Sequence, residues 1–175
     1  MLKVDQHMSL IKKLMNSLPQ SGTVERIIIR LVKRGPIEEV EEVMIDLNEG
    51  VIGDHYSKKE GKRMVTLIQK EHLDSVASIL GVDTIDPSLV RRNFVISGIN
   101  LLSLHQRQFS IGDNVILEST GHCHPCSRME TNLGAGGYNA MRGHGGLTAR
   151  VIRGGKIKVD DKVKLVVSEL SVKNL

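Results

Sequence analysis

The chain has 175 residues, 40% of them hydrophobic, and a formal net charge of +4. A domain takes roughly 100–200 residues, so one domain is expected, and the apolar content excludes global disorder. Tyr56, Phe94, Phe109 and Tyr138 are the only aromatic residues. The core must therefore come from Val, Ile, Leu and Met, and the stacking platforms of an RNA-binding sheet are missing.

No basic run carries a docking motif, so a nucleic-acid polymer is not expected as a partner. No apolar run nears the roughly 20 residues of a membrane span, and residues 1–7 lack a signal-peptide core. The two cysteines, Cys123 and Cys126, are too few for a disulfide scaffold. A cytoplasmic protein with both thiols reduced is the expectation.

In chain order, Met8, Ile11, Met15 and Leu18 fall at helical spacing and predict a helix over 5–18, stopped by Pro19. This helix is a candidate dimer contact or packing appendage. Residues 19–22 read as a linker. Strands are expected over 24–32, ended by Lys33-Arg34-Gly35-Pro36, over 40–47 and over 64–68. Leu73, Val76, Ala77 and Leu80 predict a helix closed by Gly81. Asp86-Pro87-Ser88 opens a short turn. Strands follow at 94–96 and 115–118, then a β-meander of 149–152, 157–159 and 163–167. The expected fold is mainly β with a few helices, a small closed or partly open β-barrel. Its expected organisation is an appendage and linker at 1–22, the domain at 23–168, and a tail at 169–175.

The chemistry concentrates in residues 119–150. Six glycines fall between Gly134 and Gly146, and a loop so costly to order is either disordered or functional. Cys123 and Cys126 admit several readings: half of a zinc site, a redox dithiol, one privileged thiolate, or two inert thiols. Zinc needs four ligands, and His122, His124 and His144 are awkward candidates. A redox pair would open a helix in a βαβ setting that is absent. Arg128, two residues beyond Cys126, supplies a positive charge of the kind that favours a thiolate. Arg91 and Arg92 precede a strand, where a guanidinium fork can clamp phosphate, and Asn93 offers a donor and an acceptor to a heterocycle edge. His55, next to Asp54, is a candidate acid–base group or a turn residue. Arg34 and Arg142-Gly143 are further candidate anion contacts, since glycines such as Gly143 and Gly145 expose backbone N–H groups.

The ordered set Gly50-Val51-Ile52-Gly53-Asp54-His55, Arg91-Arg92-Asn93-Phe94-Val95-Ile96, Thr120-Gly121-His122-Cys123-His124-Pro125-Cys126-Ser127-Arg128 and Met141-Arg142-Gly143-His144-Gly145-Gly146 resembles the MOSC family. That family is named for the C-terminal domain of molybdenum cofactor sulfurase. The resemblance spans about residues 24–168 and is greatest to the short stand-alone bacterial members. It implies a barrel like the extra β-domain of pyruvate kinase, and it places Cys126 at the cysteine that matters throughout the family. In reductase members such a cysteine ligates molybdenum held by molybdopterin; in sulfurase-linked members it is proposed to carry a persulfide. The implied function is reduction of N-hydroxylated compounds on a molybdenum cofactor, and the alternative is a sulfur carrier or cofactor-delivery module without turnover. Arg34, Arg91, Arg92, Arg128, Arg142, Gly143 and Gly145 would then hold the pterin phosphate, Asn93 the pterin edge, and His55 with Asp54 would handle protons or shape the turn. Electrons or sulfur would come from a separate donor protein. No pyridoxal-phosphate lysine motif is present.

Overall fold

The computed structural model describes residues 10–33, 35–56 and 61–166. Arg34, residues 5–9 of the expected first helix, Val167 and the 169–175 tail lie outside the described residues. A helix covers 10–16 (α1), ending sooner than Pro19 requires, and exposes Leu10, Ile11, Leu14 and Met15.

Eleven strands follow: β1 (Gly22–Ile29), β2 (Glu38–Val40), β3 (Glu42–Asp46), β4 (Gly50–Val51), β5 (Val65–Gln69), β6 (Phe94–Ser97), β7 (Gln108–Ile111), β8 (Val115–His122), β9 (Leu147–Arg153), β10 (Gly155–Lys158) and β11 (Lys162–Leu165). The helices α2 (Lys70–Leu80), α3 (Ser127–Leu133) and α4 (Gly137–Ala140) complete the set, with 3-10 turns at Pro87–Val90 and Leu101–Leu104. The main sheet runs β11-β7-β8-β9-β5-β6-β1-β2, and β11 pairs back onto β1, so seven strands close into a barrel with β2 outside the ring. Closure removes the sheet edges that would otherwise pair with other chains.

Two sequence expectations are corrected. The segment expected as one strand over 40–47 breaks at Glu41 into β2 and β3, which serve different sheets. The three C-terminal strands do not form a meander. β9 pairs with β5 and β8, β10 leaves the barrel to pair with β3, and β11 pairs with β7 and β1. Gly154 is the turning point: a Cβ there would stand 2.4 Å from the Ile45 carbonyl oxygen, so only glycine lets β10 cross so closely.

The strand β-pattern explains both cores. Alternate side chains of a strand face opposite ways. Ile27, Leu67, Phe94 and Ile96 point into the barrel with Phe109, Leu117 and Leu147. Ile28, Ile68 and Val95 point outward, where Leu73 and Val76 of α2, Met129 of α3, and Ala140 and Met141 cover them. Strands buried on both faces read as continuous apolar runs, as 65–68 does. β5 and β6 are parallel, which requires a crossover, and α2 supplies it. The glycine-rich stretch 127–140, expected as loop, folds into α3 and α4 because Met129, Ala140 and Met141 bury against this outer layer.

Candidate functional site

A cavity of about 290 Å³ opens where β1 ends and the segments before β6 and after β8 converge. Its wall includes Arg30, Asp54, His55, Arg63, Arg91, Arg92, Asn93 and Cys126, together with Ile28, Ile37, Tyr56 and Met129. The structure thus gathers Cys126, His55, Asp54, Arg91, Arg92 and Asn93 from three separate stretches of sequence.

Cys126 is the N-cap residue of α3, in extended conformation, and its side chain makes no capping hydrogen bond. The main chain is anchored by the Met129 amide donating to the Cys126 carbonyl at 2.8 Å, and Met129 is buried in the outer core. Packing therefore fixes the backbone while the exposed sulfur stays unspent. Cys123 differs. It is buried, and Arg63 Nη2 donates to its Sγ at 2.7 Å.

Arg91 ends the Pro87–Val90 turn at φ 62, a left-handed conformation costly for a non-glycine residue. Burial, then repulsion from Arg128 and Arg30, pushes its guanidinium below the ordinary value, while the charge on Cys126 pulls the other way. An arginine stays charged nonetheless. The shift records that Arg128, Arg30 and Arg63 all stand near enough to Arg91 to act on its charge, as does Cys126. Arg128 does not itself line the cavity.

Arg92 and Asn93 face the cavity but are committed to the scaffold. Arg92 is 6% exposed; it donates from Nε to the Gly145 carbonyl at 2.8 Å, from Nη1 to the Val90 carbonyl at 2.5 Å, and from Nη2 to the Cys123 carbonyl at 3.4 Å. Desolvation holds it below its usual value, and a buried cation of this kind needs those carbonyls. The Asn93 amide oxygen accepts from the Thr66 amide at 3.1 Å and the Thr66 hydroxyl at 2.8 Å, and its Nδ2 donates to the Ile28 carbonyl at 3.4 Å. It latches β1, β5 and β6 together.

Asp54 is likewise spent on the backbone. Oδ1 accepts from the Arg30 amide at 2.9 Å and Oδ2 from the Tyr56 amide at 3.3 Å, while the His55 amide donates to the Arg30 carbonyl at 2.7 Å. His55 Nδ1 stands 3.7 Å from Asp54 Oδ1, beyond hydrogen-bond reach. The turn is shaped by Asp54, and the imidazole is left available.

Arg142 and Gly143 do not line the cavity; the Arg142 carbonyl lies 3.1 Å from His144 Nδ1 instead. Gly145 contributes through its carbonyl to Arg92, not through its N–H to a ligand. A Cβ on Gly145 would lie 1.9 Å from the Cys123 carbonyl oxygen, and one on Gly146, at φ +84, 1.9 Å from the Leu67 carbonyl oxygen. These glycines let the loop seat against β5 and the cysteine segment. Arg30 and Arg63 escaped sequence reading. Arg30 is legible in hindsight, as a cation closing the apolar run Ile27-Ile28-Ile29; nothing in the sequence singles out Arg63.

Among the described residues, Arg30 Nε, Arg91 Nε and His55 Nδ1 are buried without a hydrogen-bond partner, and all three belong to the cavity wall. Buried polar groups are normally satisfied, so the wall is built for acceptors that a ligand brings. Among the described residues no three His, Cys, Asp or Glu side chains gather as a metal cage, which removes support from the zinc reading of the cysteine pair. No helix described is long and apolar enough to cross a membrane.

The fold and site define a closed β-barrel that carries an exposed thiol at an arginine-lined cavity. The MOSC domain pattern matches residues 49–164, more than half of the chain, and the chain belongs to the MOSC domain family. Solved structures of similar fold include the YuaD protein from Bacillus subtilis, at 20% identity and TM-score 0.73, covering 85% of this chain and 97% of that one. YiiM from Geobacillus stearothermophilus is 14% identical with TM-score 0.67, covering 83% and 75%. YiiM from Escherichia coli is 19% identical with TM-score 0.60, covering 82% and 70%. At these identities the likeness establishes the fold alone. No curated protein matches the sequence.

Proposed function

We propose that this cavity holds the molybdenum cofactor, with Cys126 as the protein's ligand to the metal, and that N-hydroxylated compounds are reduced there. The observation that carries the reading is the convergence of three partnerless buried nitrogens, on Arg30, Arg91 and His55, with the unspent sulfur of Cys126. A molybdopterin brings acceptor oxygens and negative charge for the guanidiniums and a metal suited to thiolate. MOSC domains are associated with this cofactor, which agrees with the donor set.

Arg30 and Arg91 would hold the phosphate, each with a partnerless Nε and with an attraction to an anion that the half-buried setting strengthens. Arg63 adds a third cation beside them, and Arg92 holds the floor in place. When bound, the cofactor supplies the two electrons that cleave an N–O bond. His55 Nδ1 is placed to hold a proton for the departing oxygen, while Asp54 fixes the turn that presents the ring. Ile28, Ile37 and Met129 add apolar surface to the wall. The electron donor is a separate protein in this reading.

The test is molybdenum content after expression in a host that makes molybdopterin. Wild type and Cys123→Ser should carry the metal and Cys126→Ser should not; equal metal in wild type and Cys126→Ser would end the ligand assignment. A second reading, a sulfur carrier with Cys126 as the loaded atom, is favoured by the exposure of that sulfur.

A further inference from the structure

We propose that Cys126 accepts sulfane sulfur directly from organic thiosulfonates, R–SO2–S⁻, with thiosulfate as the smallest member of the class. This rests on the second reading, in which Cys126 is the loaded sulfur, and names the donor; it requires no bound metal.

Charge selects the class. Attack of a thiolate on an anion is opposed by repulsion unless cations surround both. Arg30, Arg63, Arg91 and Arg92 line the cavity, and Arg128 stands near Arg91. Asp54, the carboxylate of the wall, has both oxygens engaged by backbone amides. A cationic sulfur donor meets no counter-ion there, and a neutral one gains nothing from the guanidiniums. An anionic donor gains from each.

Shape selects within the class. Thiosulfate alone would leave most of the roughly 290 Å³ unfilled. The wall combines arginines with the apolar side chains of Ile28, Ile37 and Met129 and the ring of Tyr56. A thiosulfonate offers partners to both kinds of residue, sulfonyl oxygens to the guanidiniums and an organic group to the apolar residues. The sulfonyl oxygens are acceptors of the kind that the Arg30 and Arg91 Nε groups lack.

The step balances without an outside oxidant. The Cys126 thiolate attacks the terminal sulfur of the donor, and a new S–S bond forms. The bond from that sulfur to the sulfonyl sulfur breaks, and its electron pair leaves with the sulfinate: Cys–S⁻ + ⁻S–SO2–R gives Cys–S–S⁻ + R–SO2⁻. Charge builds on the departing sulfinate oxygens, and the partnerless Nε donors of Arg30 and Arg91 in the cavity wall can stabilise it. Cys123 does not compete, because it is buried and its sulfur is held by Arg63.

The experiment incubates the purified chain with benzenethiosulfonate and reads intact mass and released benzenesulfinate. Wild type and Cys123→Ser should gain one sulfur atom with one sulfinate released, and Cys126→Ser should gain none. Arg30→Ala and Arg91→Ala should each slow loading about tenfold, the value of one charge-assisted hydrogen bond. Arg91→Lys, which keeps the charge, should recover part of the rate. With the neutral probe dimethyl trisulfide, whose attack leaves a methyl disulfide or trisulfide on Cys126 and releases methyl persulfide or methanethiolate, the same variants should lose less rate than with benzenethiosulfonate. Absence of loading in wild type, equal loading in Cys126→Ser, or equal slowing with both donors would overturn the proposal. Molybdenum content is measured in parallel. Cys126-dependent metal without sulfur loading defeats this inference alone, and sulfur loading without metal defeats the cofactor reading alone.

Discussion

Arg63 and Cys123 meet through a 2.7 Å contact from Nη2 to Sγ, a buried sulfur tethering a guanidinium that faces the cavity. The two cysteines are therefore unequal in the folded chain. N-ethylmaleimide should label Cys126 in the native protein and Cys123 only after unfolding, as peptide mass mapping would show. Labelling of both at similar rates would contradict the burial of Cys123. Cys123→Ala, which leaves the guanidinium without its acceptor, should lower unfolding stability by about 1 kcal/mol in urea, and Cys123→Ser by less.

Arg91→Gly should separate stability from function. Glycine adopts φ 62 freely, and the change removes a charge that Arg128 and Arg30 repel. Thermal unfolding should show no loss and a gain of up to about 1 kcal/mol. Loading of the cavity by an anionic ligand should fall in the same variant. A destabilised Arg91→Gly protein would show that the side chain carries structural weight.

Arg92→Met should be far more costly. It strips the Gly145, Val90 and Cys123 carbonyls of their donor, and leaving such groups unpaired in the interior costs about 3 kcal/mol. The urea midpoint measures this. A neutral result would mean the loop at 143–146 finds other partners.

Much of the architecture was legible, for identifiable reasons. Ile27-Ile28-Ile29 and Val65-Thr66-Leu67-Ile68 announce strands buried on both faces, and Gly81 marks the end of α2. Pairing was not legible, because the choice of β3 over β9 as partner for β10 depends on a close approach at Gly154. At the site, Cys126, Arg91 and His55 stood out by residue type. The commitment of Arg92, Asn93 and Asp54 to backbone groups could not be read, since a donor fork or an amide looks the same whether it meets a ligand or a carbonyl.

His72 gives the fold a pH dependence. Its ring packs edge-on to His144 at 5.2 Å between centroids. Burial first, then the charge of His144, holds His72 below its ordinary value of 6.5. The unfolded chain then binds more protons than the folded one, so stability is fully present above about 6.5 and is lost as pH falls below it. The melting temperature should drop between neutral pH and mildly acidic pH, and His72→Gln should flatten that drop. An unchanged slope in the variant would assign the effect elsewhere.

Among the described residues the closing ladder of the ring registers two residue pairs, Gly22 with Val163 and Thr23 with Lys162, continued by the Val24 amide donating to the Asp161 carbonyl and the Asp160 amide to the Val24 carbonyl. This short clasp joins strands nearly the whole described chain apart, so it carries a large loop-closure cost for few hydrogen bonds. Amide exchange should begin there. The clasp sits at the start of β1, whereas Arg30 follows its far end, which β6, Asn93 and Asp54 hold independently of β11; the seam of the barrel can therefore breathe while the arginine stays at its post.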